Sequence, residues 1–371
     1  MQIGDELTVE PADLVAGGAA LARVDGFPLF VTGIYPGDLA RVRVTEVKAG
    51  FGRADLVNLE RSSPLRRTAP CPIADECGGC DWTALRLDAQ LLAKRRILEE
   101  SLRRVGKLDP SSLPPIALHP SPLNYRVRSR LHREGDAIGF YAMRSNHVVP
   151  LARECEVVGP ETVRVFGGSR PAAPEPARDE TVWEVDRRIT TRGDLTIAGY
   201  HLTAGAFFQV NRHLLEMLLG RVGGIAAAAG TKRSAVDLYS GVGFFSRPLA
   251  RVFERVTAIE GSRESHDCAK RNASPNVKLV NAPVEAWIPH MPRTDFVFLD
   301  PPRSGAKRNV IDAIAKKTNE IICFLACDPV TFARDASRLI ASGWILSTLD
   351  LVDLFPNTHH VETLSSFRRA P

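Results

Sequence analysis

Short apolar runs separated by segments of helical length dominate the chain from about residue 201 onward. The runs that predict buried strands cover 235–239, 255–260, 277–281, 295–300 and 320–327, and two further runs cover 344–352 and 360–367. Strands that alternate with helices in this way are typical of a doubly wound α/β domain with a largely parallel sheet. We therefore expect residues 201–371 to form such a domain.

Residues 1–62 have a different pattern, in which short alternating runs are separated by turn residues such as Gly17-Gly18 and Asp25-Gly26. The predicted strands are 5–10, 18–24, 27–31, 39–47 and 52–59. Five short strands in so short a segment suit a small barrel of the OB type, a fold that often binds oligonucleotides. A β-module without a ligand is the alternative.

The region between these two, residues 63–200, is predicted to form a small α+β domain. It begins with a cysteine-rich stretch over 71–82. Apolar positions at heptad-like spacing then predict a helix over 83–108 that packs on the α/β domain. A stretch rich in Arg, Pro and Glu over 169–181 predicts a flexible loop.

Composition indicates an ordinary soluble protein. Hydrophobic residues make up 44% and charged residues 25% of the chain, and no apolar run is long enough to span a bilayer. The first residues lack a basic region followed by an apolar core, which argues against secretion. Seven cysteines in such a chain favour a reducing compartment over a disulfide framework. We expect a cytoplasmic monomer that does not bind membranes.

Positive charge is more informative in its distribution than in its total of +5. Arg126, Arg128 and Arg130 alternate with other residues, so a strand would direct all three to one face. A row of like charges is costly without an anionic partner. The pattern therefore favours a phosphate-binding face over a solvated one.

Candidate reaction chemistry lies at the ends of two successive strands. Asp300 and Cys327 each end an apolar run and are followed directly by other polar or turn-forming residues. Ligands of open parallel sheets bind beyond the carboxyl ends of the strands. A thiol and a carboxylate at that edge favour a reactive site over the commoner role of cysteine as a small buried residue.

A glycine-rich turn, Ser240-Gly-Val-Gly243, follows the strand over 235–239 and opens a helix. A dinucleotide-binding fingerprint requires a third glycine three residues on, but Ser246 occupies that position. Glu260 ends the next strand, where a carboxylate can accept hydrogen bonds from ribose hydroxyls. Together these features favour S-adenosylmethionine over NAD as the ligand.

The cysteine-rich stretch has the composition of a metal site. Cys71, Cys77 and Cys80 are close in sequence, and Cys155 is the nearest candidate for a fourth ligand. Four thiolates suit either zinc or an iron–sulfur cluster. The spacing differs from the paired C-x2-C knuckles of common zinc sites, and it leaves both metals open, with unligated cysteines as the minor alternative.

These motifs occur in one order along the chain, together with three others, and the series is Cys71-x5-Cys77-Gly-Gly-Cys80, Phe207-Phe-Gln-Val-Asn211, Asp237-Leu-Tyr-Ser-Gly, Asp300-Pro-Pro-Arg303, Cys327-Asp-Pro and His360-Val-Glu362. The series resembles the RNA uracil-C5 methyltransferases, the family that makes 5-methyluridine in ribosomal and transfer RNA. The resemblance extends over essentially the whole chain, and residues 1–62 look like that family's N-terminal RNA-binding barrel, the TRAM domain.

The resemblance implies a Rossmann-like methyltransferase domain, a TRAM barrel and a small iron–sulfur domain. It implies a [4Fe-4S] cluster on four cysteines, namely Cys71, Cys77, Cys80 and Cys155. It implies S-adenosylmethionine contacts from Gln209, Tyr239, Glu260 and Asp300. It makes Cys327 the nucleophile and Glu362 the base, and it suggests that Phe207 stacks on a base of the RNA.

The implied reaction explains why these residue types are needed. Uracil C5 is a poor nucleophile until a thiolate adds at C6, and this addition divides one hard step into two easier ones. A base must then remove the C5 proton so that the thiol can leave, and a carboxylate suits that task. On spacing alone, His359 and His360 compete with Glu362 for this role. Arg303 is a candidate for stabilising the thiolate or the enolate oxygen.

One departure from the family pattern concerns the residue after the nucleophile. Members commonly have Asn at this position, whereas this chain has Asp328, which adds a negative charge beside a thiol that must ionise. We expect the Asp328 carboxylate to be oriented away from the thiol or hydrogen-bonded.

Two other functions compete with this interpretation. The first is an S-adenosylmethionine-dependent N-methyltransferase of the type with Asp/Asn-Pro-Pro, which needs no thiol and usually has an aromatic residue where Arg303 stands. The second is a non-catalytic iron–sulfur protein that binds RNA. For the favoured function, 23S ribosomal RNA is expected ahead of transfer RNA, although the sequence identifies no individual uridine.

Overall fold

The computed structural model describes residues 1–168, 182–185, 188–189, 195–203 and 205–369. The loop predicted over 169–181 lies outside the described residues. Among the helices of the described ranges, none has the length and apolar character needed to cross a membrane.

The N-terminal segment forms a mixed six-stranded sheet, and its strands are short, as predicted. The strands are β1 (Glu6–Val9), β2 (Asp13–Leu14), β3 (Ala20–Val24), β4 (Phe27–Thr32), β5 (Leu39–Val47) and β6 (Gly52–Arg61), in the spatial order β1-β5-β6-β4-β3-β2. Alternate residues such as Ala20, Ala22, Leu29 and Val31 are buried, which is the period expected of a half-buried strand. The two-residue strand β2 was not predicted.

The central region contains the longest helix of the described residues and a second sheet. Its elements are α1 (Leu87–Arg104), β7 (Ile116–His119), β8 (Arg128–Glu134), β9 (Ala137–Tyr141), β10 (Val148–Pro150), α2 (Pro160–Phe166), β11 (Val182–Val185), β12 (Arg188–Ile189), β13 (Leu195–Ile197) and β14 (Tyr200–Leu202). Five of these strands form a sheet in the order β10-β9-β8-β11-β12. Strand β7 leaves this region and joins the sheet of the C-terminal part of the chain.

The C-terminal region is the predicted doubly wound α/β domain. Its elements are α3 (Leu215–Ala227), β15 (Ser234–Leu238), α4 (Ser246–Ala250), β16 (Arg255–Glu260), α5 (Arg263–Asn272), β17 (Val277–Asn281), α6 (Val284–Trp287), β18 (Thr294–Leu299), α7 (Arg308–Lys317), β19 (Thr318–Ala326), α8 (Pro329–Ala341), β20 (Trp344–Val352) and β21 (Glu362–Arg369). All seven predicted strands are present, within a few residues of the predicted bounds.

The large sheet has the order β17-β16-β15-β18-β19-β21-β20-β7. Strand β15 pairs in parallel with β16 on one side and with β18 on the other, so the strand order reverses at β15. Such a switch point creates a crevice at the carboxyl ends of the strands. Strand β21 is inserted between β19 and β20 and runs antiparallel to both.

Helix α1 is shorter than predicted. Its buried face contains Ile97, Leu98 and Leu102 of the apolar pattern, but it also contains polar residues that the pattern did not indicate. Leu92 and Val105 are exposed, whereas Gln90 and Lys94 are completely buried. The Lys94 Nζ donates to Asp353 Oδ1 at 2.6 Å and to the Phe355 carbonyl oxygen at 2.9 Å. Helix α1 is therefore attached by polar contacts to the segment that joins β20 to β21.

The N-terminal sheet contacts the rest of the protein at a tight turn. The indole nitrogen of Trp82 donates to the carbonyl oxygen of Gly18 at 3.1 Å. Gly18 has a φ of +87°, and a Cβ added there would lie 2.5 Å from Asp81 Oδ2 and 3.0 Å from the Cβ of His359. Glycine is required at this position because the conformation is left-handed and the space is filled.

We predict that Lys94→Met lowers the free energy of unfolding by about 3–5 kcal/mol, because Asp353 is left buried without its counter-charge. Urea denaturation measures this change. The matched control is Arg95→Met, which breaks an exposed ion pair with Glu99 and is expected to cost less than about 1 kcal/mol. Equal losses in the two variants would contradict the prediction.

Candidate active site

The glycine-rich turn after β15 has an unusual backbone. Tyr239, Gly241 and Gly243 have φ values of +60°, +54° and +85°. Glycine adopts such values without strain, whereas a tyrosine does so only where its surroundings impose them. The Gly241 amide donates to Glu260 Oε2 at 2.8 Å, and this bond fastens the turn to the neighbouring strand.

Glu260 ends β16, as predicted, and it is already engaged with backbone groups. Its Oε2 accepts from Gly241, and its Oε1 accepts from the Ser262 amide at 2.6 Å. Each carboxylate oxygen has a second lone pair that remains for the hydroxyls of a ligand. The position of Glu260 is therefore compatible with binding a ribose.

One cavity of about 540 Å³ opens at this end of the sheet. Its volume lies in the range of small-molecule sites. The cavity brings together all of the residues predicted to be catalytic or cofactor-binding in the α/β domain, namely Gln209, Tyr239, Glu260, Asp300, Cys327 and Glu362. The exposed ring of Phe207 also lines it.

Asp300 lies directly after β18 and is held from the opposite wall. The Gln209 side-chain amide donates to Asp300 Oδ2 at 3.1 Å. Burial, with a further contribution from Asp237, raises the pKa of Asp300 to about 7. Burial likewise raises the pKa of Asp237 to about 7. Two neighbouring carboxyl groups, of which Asp300 lines the cavity, therefore take up protons more easily than ordinary aspartates.

The Tyr239 hydroxyl is directed to a residue outside the predicted set. It donates to Glu285 Oε1 at 3.1 Å. The contact of Tyr239 with a ligand is consequently left to its ring and its backbone.

Cys327 and Glu362 are neighbours because of the register between β19 and β21. In this antiparallel pair Ala326 lies opposite Thr363, so the residue after Ala326 lies beside the residue before Thr363. Glu362 is buried, whereas Cys327 is partly accessible. The thiol and the carboxyl group are thus delivered side by side to the wall of the cavity.

The environment of this pair favours the neutral forms of both groups. The pKa of the Cys327 thiol is raised to about 12, first by burial and then by Glu362 and Asp300. Burial, and then Asp300, raise the pKa of Glu362 well above its usual range. Arg303 acts in the opposite direction on both groups, so its guanidinium favours their ionised forms, and Lys94 adds to this effect on Glu362.

Arg303 is oriented by a histidine. Its Nη2 lies 3.1 Å from His360 Nε2, and this ring nitrogen must accept because a guanidinium can only donate. Burial, with His359 and Arg303, lowers the pKa of His360 to about 3. His359 is bound to Asp81 through Nδ1. Among the candidates for the base, the pKa of Glu362 is raised whereas that of His360 is lowered. Within the described residues, Glu362 forms no ion pair that would compete with this role.

The carboxylate of Asp328 is hydrogen-bonded, as expected. Asp328 is the N-cap residue of α8, and its Oδ1 accepts from the Thr331 amide at 2.7 Å. A side-chain oxygen at this position satisfies one of the free amides of the first helical turn. The charge next to the nucleophile is therefore used to begin the helix.

The four cysteines of the central region line one small cavity. Cys71, Cys77, Cys80 and Cys155 all contribute to its wall, and all are free thiols. Burial raises the pKa of Cys80 to about 12 and also raises that of Cys71 and Cys77. The geometric criteria for a metal site are not met by any group of side chains in the described ranges.

The predicted row of arginines alternates with buried residues, as a strand requires. Val127 and Ser129 are buried, whereas Arg126, Arg128 and Arg130 are not. Arg126 lies just before β8, and its guanidinium lies over the rings of Tyr125 and Phe140, where it opposes the rise in the pKa of Cys77 and Cys80 that burial causes. A phosphate-binding role of the row stays a prediction.

The surroundings of the cysteines fit an anionic group. The Nε atom of Arg126 is buried and has no hydrogen-bond partner, which is costly unless a negative charge lies nearby. A Cβ on Gly78 would lie 2.9 Å from the carbonyl oxygen of Tyr141, and one on Gly79 would lie 3.4 Å from Cys77 Sγ. The two glycines therefore allow the loop to approach closely, and the unpaired cation matches deprotonated thiolates.

One polar residue of the site region carried no signal in the sequence. Asn357 lies in a short turn between β20 and β21. Asn357 is nevertheless completely buried and lines the cavity of the cysteines. Only its left-handed φ of +65°, which asparagine tolerates better than most residues, distinguishes it.

Comparison with known proteins supplies a family. The model of the tRNA (uracil-5-)-methyltransferase family matches residues 186–285 and 291–369, and the TRAM domain model matches residues 2–57. An uncharacterized RNA methyltransferase of Corynebacterium efficiens is 34% identical and the match covers 99% of this chain and 95% of the relative. The 23S rRNA (uracil(1939)-C(5))-methyltransferase RlmD of Aliivibrio fischeri is 28% identical, with 98% and 96% covered.

A solved structure shares the whole fold. The tRNA (uracil-54, C5)-methyltransferase of Pyrococcus abyssi, in complex with S-adenosyl-L-homocysteine, aligns with a TM-score of 0.73 over 97% of this chain and 99% of the other. The two sequences are 24% identical.

We predict that Asp328→Ala lowers the free energy of unfolding by about 1 kcal/mol through loss of the N-cap, whereas Asp328→Asn leaves it nearly unchanged. Asparagine caps as well as aspartate does. Urea denaturation of both variants measures the difference. A loss of stability in Asp328→Asn as large as that in Asp328→Ala would contradict the capping role.

Proposed function

Since the chain belongs to the tRNA (uracil-5-)-methyltransferase family, we propose that it methylates C5 of one uridine in RNA, with Cys327 as nucleophile and Glu362 as base. The chain is an RNA (uracil-5-)-methyltransferase that depends on S-adenosylmethionine and carries a TRAM domain. The roles of individual residues, the RNA and the cluster described below are parts of the proposal.

The observation that carries the proposal is the pairing of a thiol with a carboxyl group in the cavity of the glycine-rich turn. Cys327 and Glu362 emerge side by side from β19 and β21, and both line the cavity with Asp300. A methyltransferase that acts on nitrogen needs neither the thiol nor a strong base beside it. Addition to a pyrimidine ring needs both.

The nucleophile must lose a proton before it can add to C6 of the uracil. Only the thiolate is reactive, and Arg303 favours this form against burial and against Glu362. Bond formation between the sulfur and C6 converts the thiolate to an uncharged thioether. This change removes a negative charge next to Glu362, which helps Glu362 to become the carboxylate that accepts the C5 proton. The addition leaves an enolate whose C5 takes the methyl group, and Glu362 then removes the C5 proton. The electron pair of the broken C5–H bond re-forms the C5–C6 double bond and expels the thiolate.

The cofactor site is proposed at the glycine-rich turn. S-adenosylmethionine supplies an electrophilic methyl group to the reaction. Glu260 has free lone pairs for ribose hydroxyls, and Tyr239 provides the strained backbone beside them. Gln209 and Asp300 are bonded to each other across the cavity and complete the proposed contacts. These residues fit a nucleoside ligand, because they offer carboxylate acceptors in a cavity whose walls are largely apolar.

The RNA is proposed to be 23S ribosomal RNA. The support is a full-length relative whose name specifies uracil 1939 of 23S rRNA. A uridine within folded RNA must leave its stack to reach a cavity of this kind, and the exposed Phe207 ring at the rim is placed to stack on a base. In this proposal residues 1–62 form the RNA-binding barrel, 63–200 the central domain and 201–371 the catalytic domain of a cytoplasmic monomer.

A [4Fe-4S] cluster is proposed on Cys71, Cys77, Cys80 and Cys155. The support is the common cavity of the four thiols and the nearby Arg126 guanidinium, whose buried Nε atom has no hydrogen-bond partner. A cluster of this type holds its irons by four thiolates, which would supply negative charge next to this guanidinium.

Two substitutions are predicted to stop the reaction at different points. Cys327→Ala removes the nucleophile, so labelled S-adenosylmethionine should transfer no methyl group to the RNA. Glu362→Gln retains the nucleophile but not the base, so turnover should fall about 10²–10⁴-fold while a covalent enzyme–RNA adduct accumulates. Denaturing gels detect the adduct, and mass spectrometry of digested RNA detects 5-methyluridine.

The control for both variants is Cys268→Ser, a buried cysteine outside the cavity, which should keep normal activity. Undiminished methylation by Cys327→Ala would favour the N-methyltransferase alternative. RNA binding without any methyl transfer by the unmodified protein would favour the non-catalytic alternative.

The cluster is predicted to depend on each of its four cysteines. Cys80→Ser should abolish the visible absorbance and the bound iron and sulfide of anaerobically purified protein, because a ligand is lost from the deepest position. Cys268→Ser should retain both. Zinc in place of iron in the unmodified protein, measured by metal analysis, would show that the cluster assignment is wrong.

A further inference from the structure

The segment that carries Glu362 lies against the loop that contains Cys71, Cys77 and Cys80. It joins the end of β20 at Val352 to the start of β21 at Glu362. Most of its residues are buried although it has no regular structure. Buried irregular backbone needs partners for its polar groups, and those partners show what the segment is attached to.

Asn357 is the residue through which the segment is attached, and its backbone is fully used. Its amide donates to Gln90 Oε1 at 2.7 Å. Its carbonyl oxygen accepts from the amides of Asp81 and Trp82 at 3.2 and 3.0 Å. Asp81 and Trp82 directly follow Cys80, so this contact begins one residue after one of the four cysteines.

The side chain of Asn357 binds a second part of the cysteine site. Its Nδ2 donates to Glu156 Oε2 at 3.1 Å, and Glu156 directly follows Cys155. Its Oδ1 accepts from Arg67 at 3.1 Å and from Gln90 at 3.0 Å. Arg67 in turn forms an ion pair with Glu156. The side-chain amide of Asn357 therefore connects three separate stretches of chain, those of Arg67, Gln90 and Glu156.

The attachment continues from Asn357 toward the reacting groups. The His359 amide donates to Asp81 Oδ1 at 3.1 Å, and the next residue, His360, contacts Arg303. Glu362 follows two residues later as the first residue of β21. On the other side of Asn357, Lys94 binds Asp353 and the Phe355 carbonyl. The segment is thus fixed at both ends, and Asn357 is its link to the cysteines.

We propose that Asn357 is a positioning residue that couples order in the four-cysteine site to the placement of Glu362. The inference rests on the proposed function, and it assigns to the cysteine site an effect on one step, the removal of the C5 proton. Two loops that carry cysteine ligands share one hydrogen-bonded residue with the segment that carries the base. Disorder in either loop therefore loosens the base more than it loosens the nucleophile, which β19 supplies.

The test uses Asn357→Gly, because glycine accepts the left-handed backbone and removes only the side-chain bonds. Proton removal is expected to slow about ten- to hundredfold, since small displacements of a reacting group have effects of this size, while addition of Cys327 to the RNA slows less than about twofold. The measured signature is a covalent enzyme–RNA adduct that accumulates before product. A second readout is faster hydrogen–deuterium exchange in peptides that cover 358–362.

The matched control is Lys107→Gly. Lys107 also has a left-handed φ, of +56°, and its side chain is exposed. It lines neither the cavity of the cysteines nor the cavity of the active site. Lys107→Gly should therefore show the adduct kinetics and the exchange of the unmodified protein.

Several outcomes would overturn the inference without touching the proposed function. Adduct formation and product formation that fall together in Asn357→Gly would show a purely structural role. Unchanged exchange at 358–362 in that variant would show that the base is held without Asn357. An unmodified protein that forms neither adduct nor product would instead refute the proposed reaction.

A measurement without any substitution covers the case in which Asn357→Gly does not fold. Removal of the metal from the unmodified protein by a chelator, followed by its restoration, should raise and then lower exchange at 358–362. Exchange that stays constant while iron leaves and returns would contradict the coupling. Protein that holds no iron at any stage would refute the cluster and leave the reaction to be judged on adduct formation.

Discussion

The pairing of β21 with its neighbours is the constraint on which the rest of the site depends. An antiparallel strand in an otherwise parallel sheet brings its first residue to the edge where the other strands end. In the observed register Ala326 lies opposite Thr363, and this places Glu362 beside Cys327. A slip by one residue would turn the carboxyl group to the other face of the sheet. The hydrophobic side chains of β21, buried on both faces, oppose such a slip.

This placement groups several acidic side chains in or next to one cavity. Asp237, Asp300, Glu362 and Cys327 all have raised pKa values, with burial as the first cause. Arg303 favours ionisation of the last two. Because the pKa of the thiol is raised, the reactive thiolate need not persist where solvent can reach it.

The sequence predicted the strands of the α/β domain because each is a short apolar run with turn residues at its ends. It predicted Cys327, Asp300 and Glu260 because each ends such a run. It did not predict β7, whose four residues join the sheet through pairing with the distant β20 and have no local signal. Apolar spacing also missed two residues on the buried face of α1, since Gln90 and Lys94 are polar and bind Asn357 and Asp353, which are distant in the sequence. Asn357 was missed for the same reason.

The contact between Gly18 and Trp82 has a consequence for how a long RNA is read. Because the barrel is joined to the catalytic part by direct contacts rather than by a free tether, the distance between its surface and the cavity is set by the fold. A strand that engages both at once gains from the second contact only if its own bend matches that distance. A nucleotide in the cavity therefore lies at a distance from the N-terminal sheet that the fold sets and the RNA has to match.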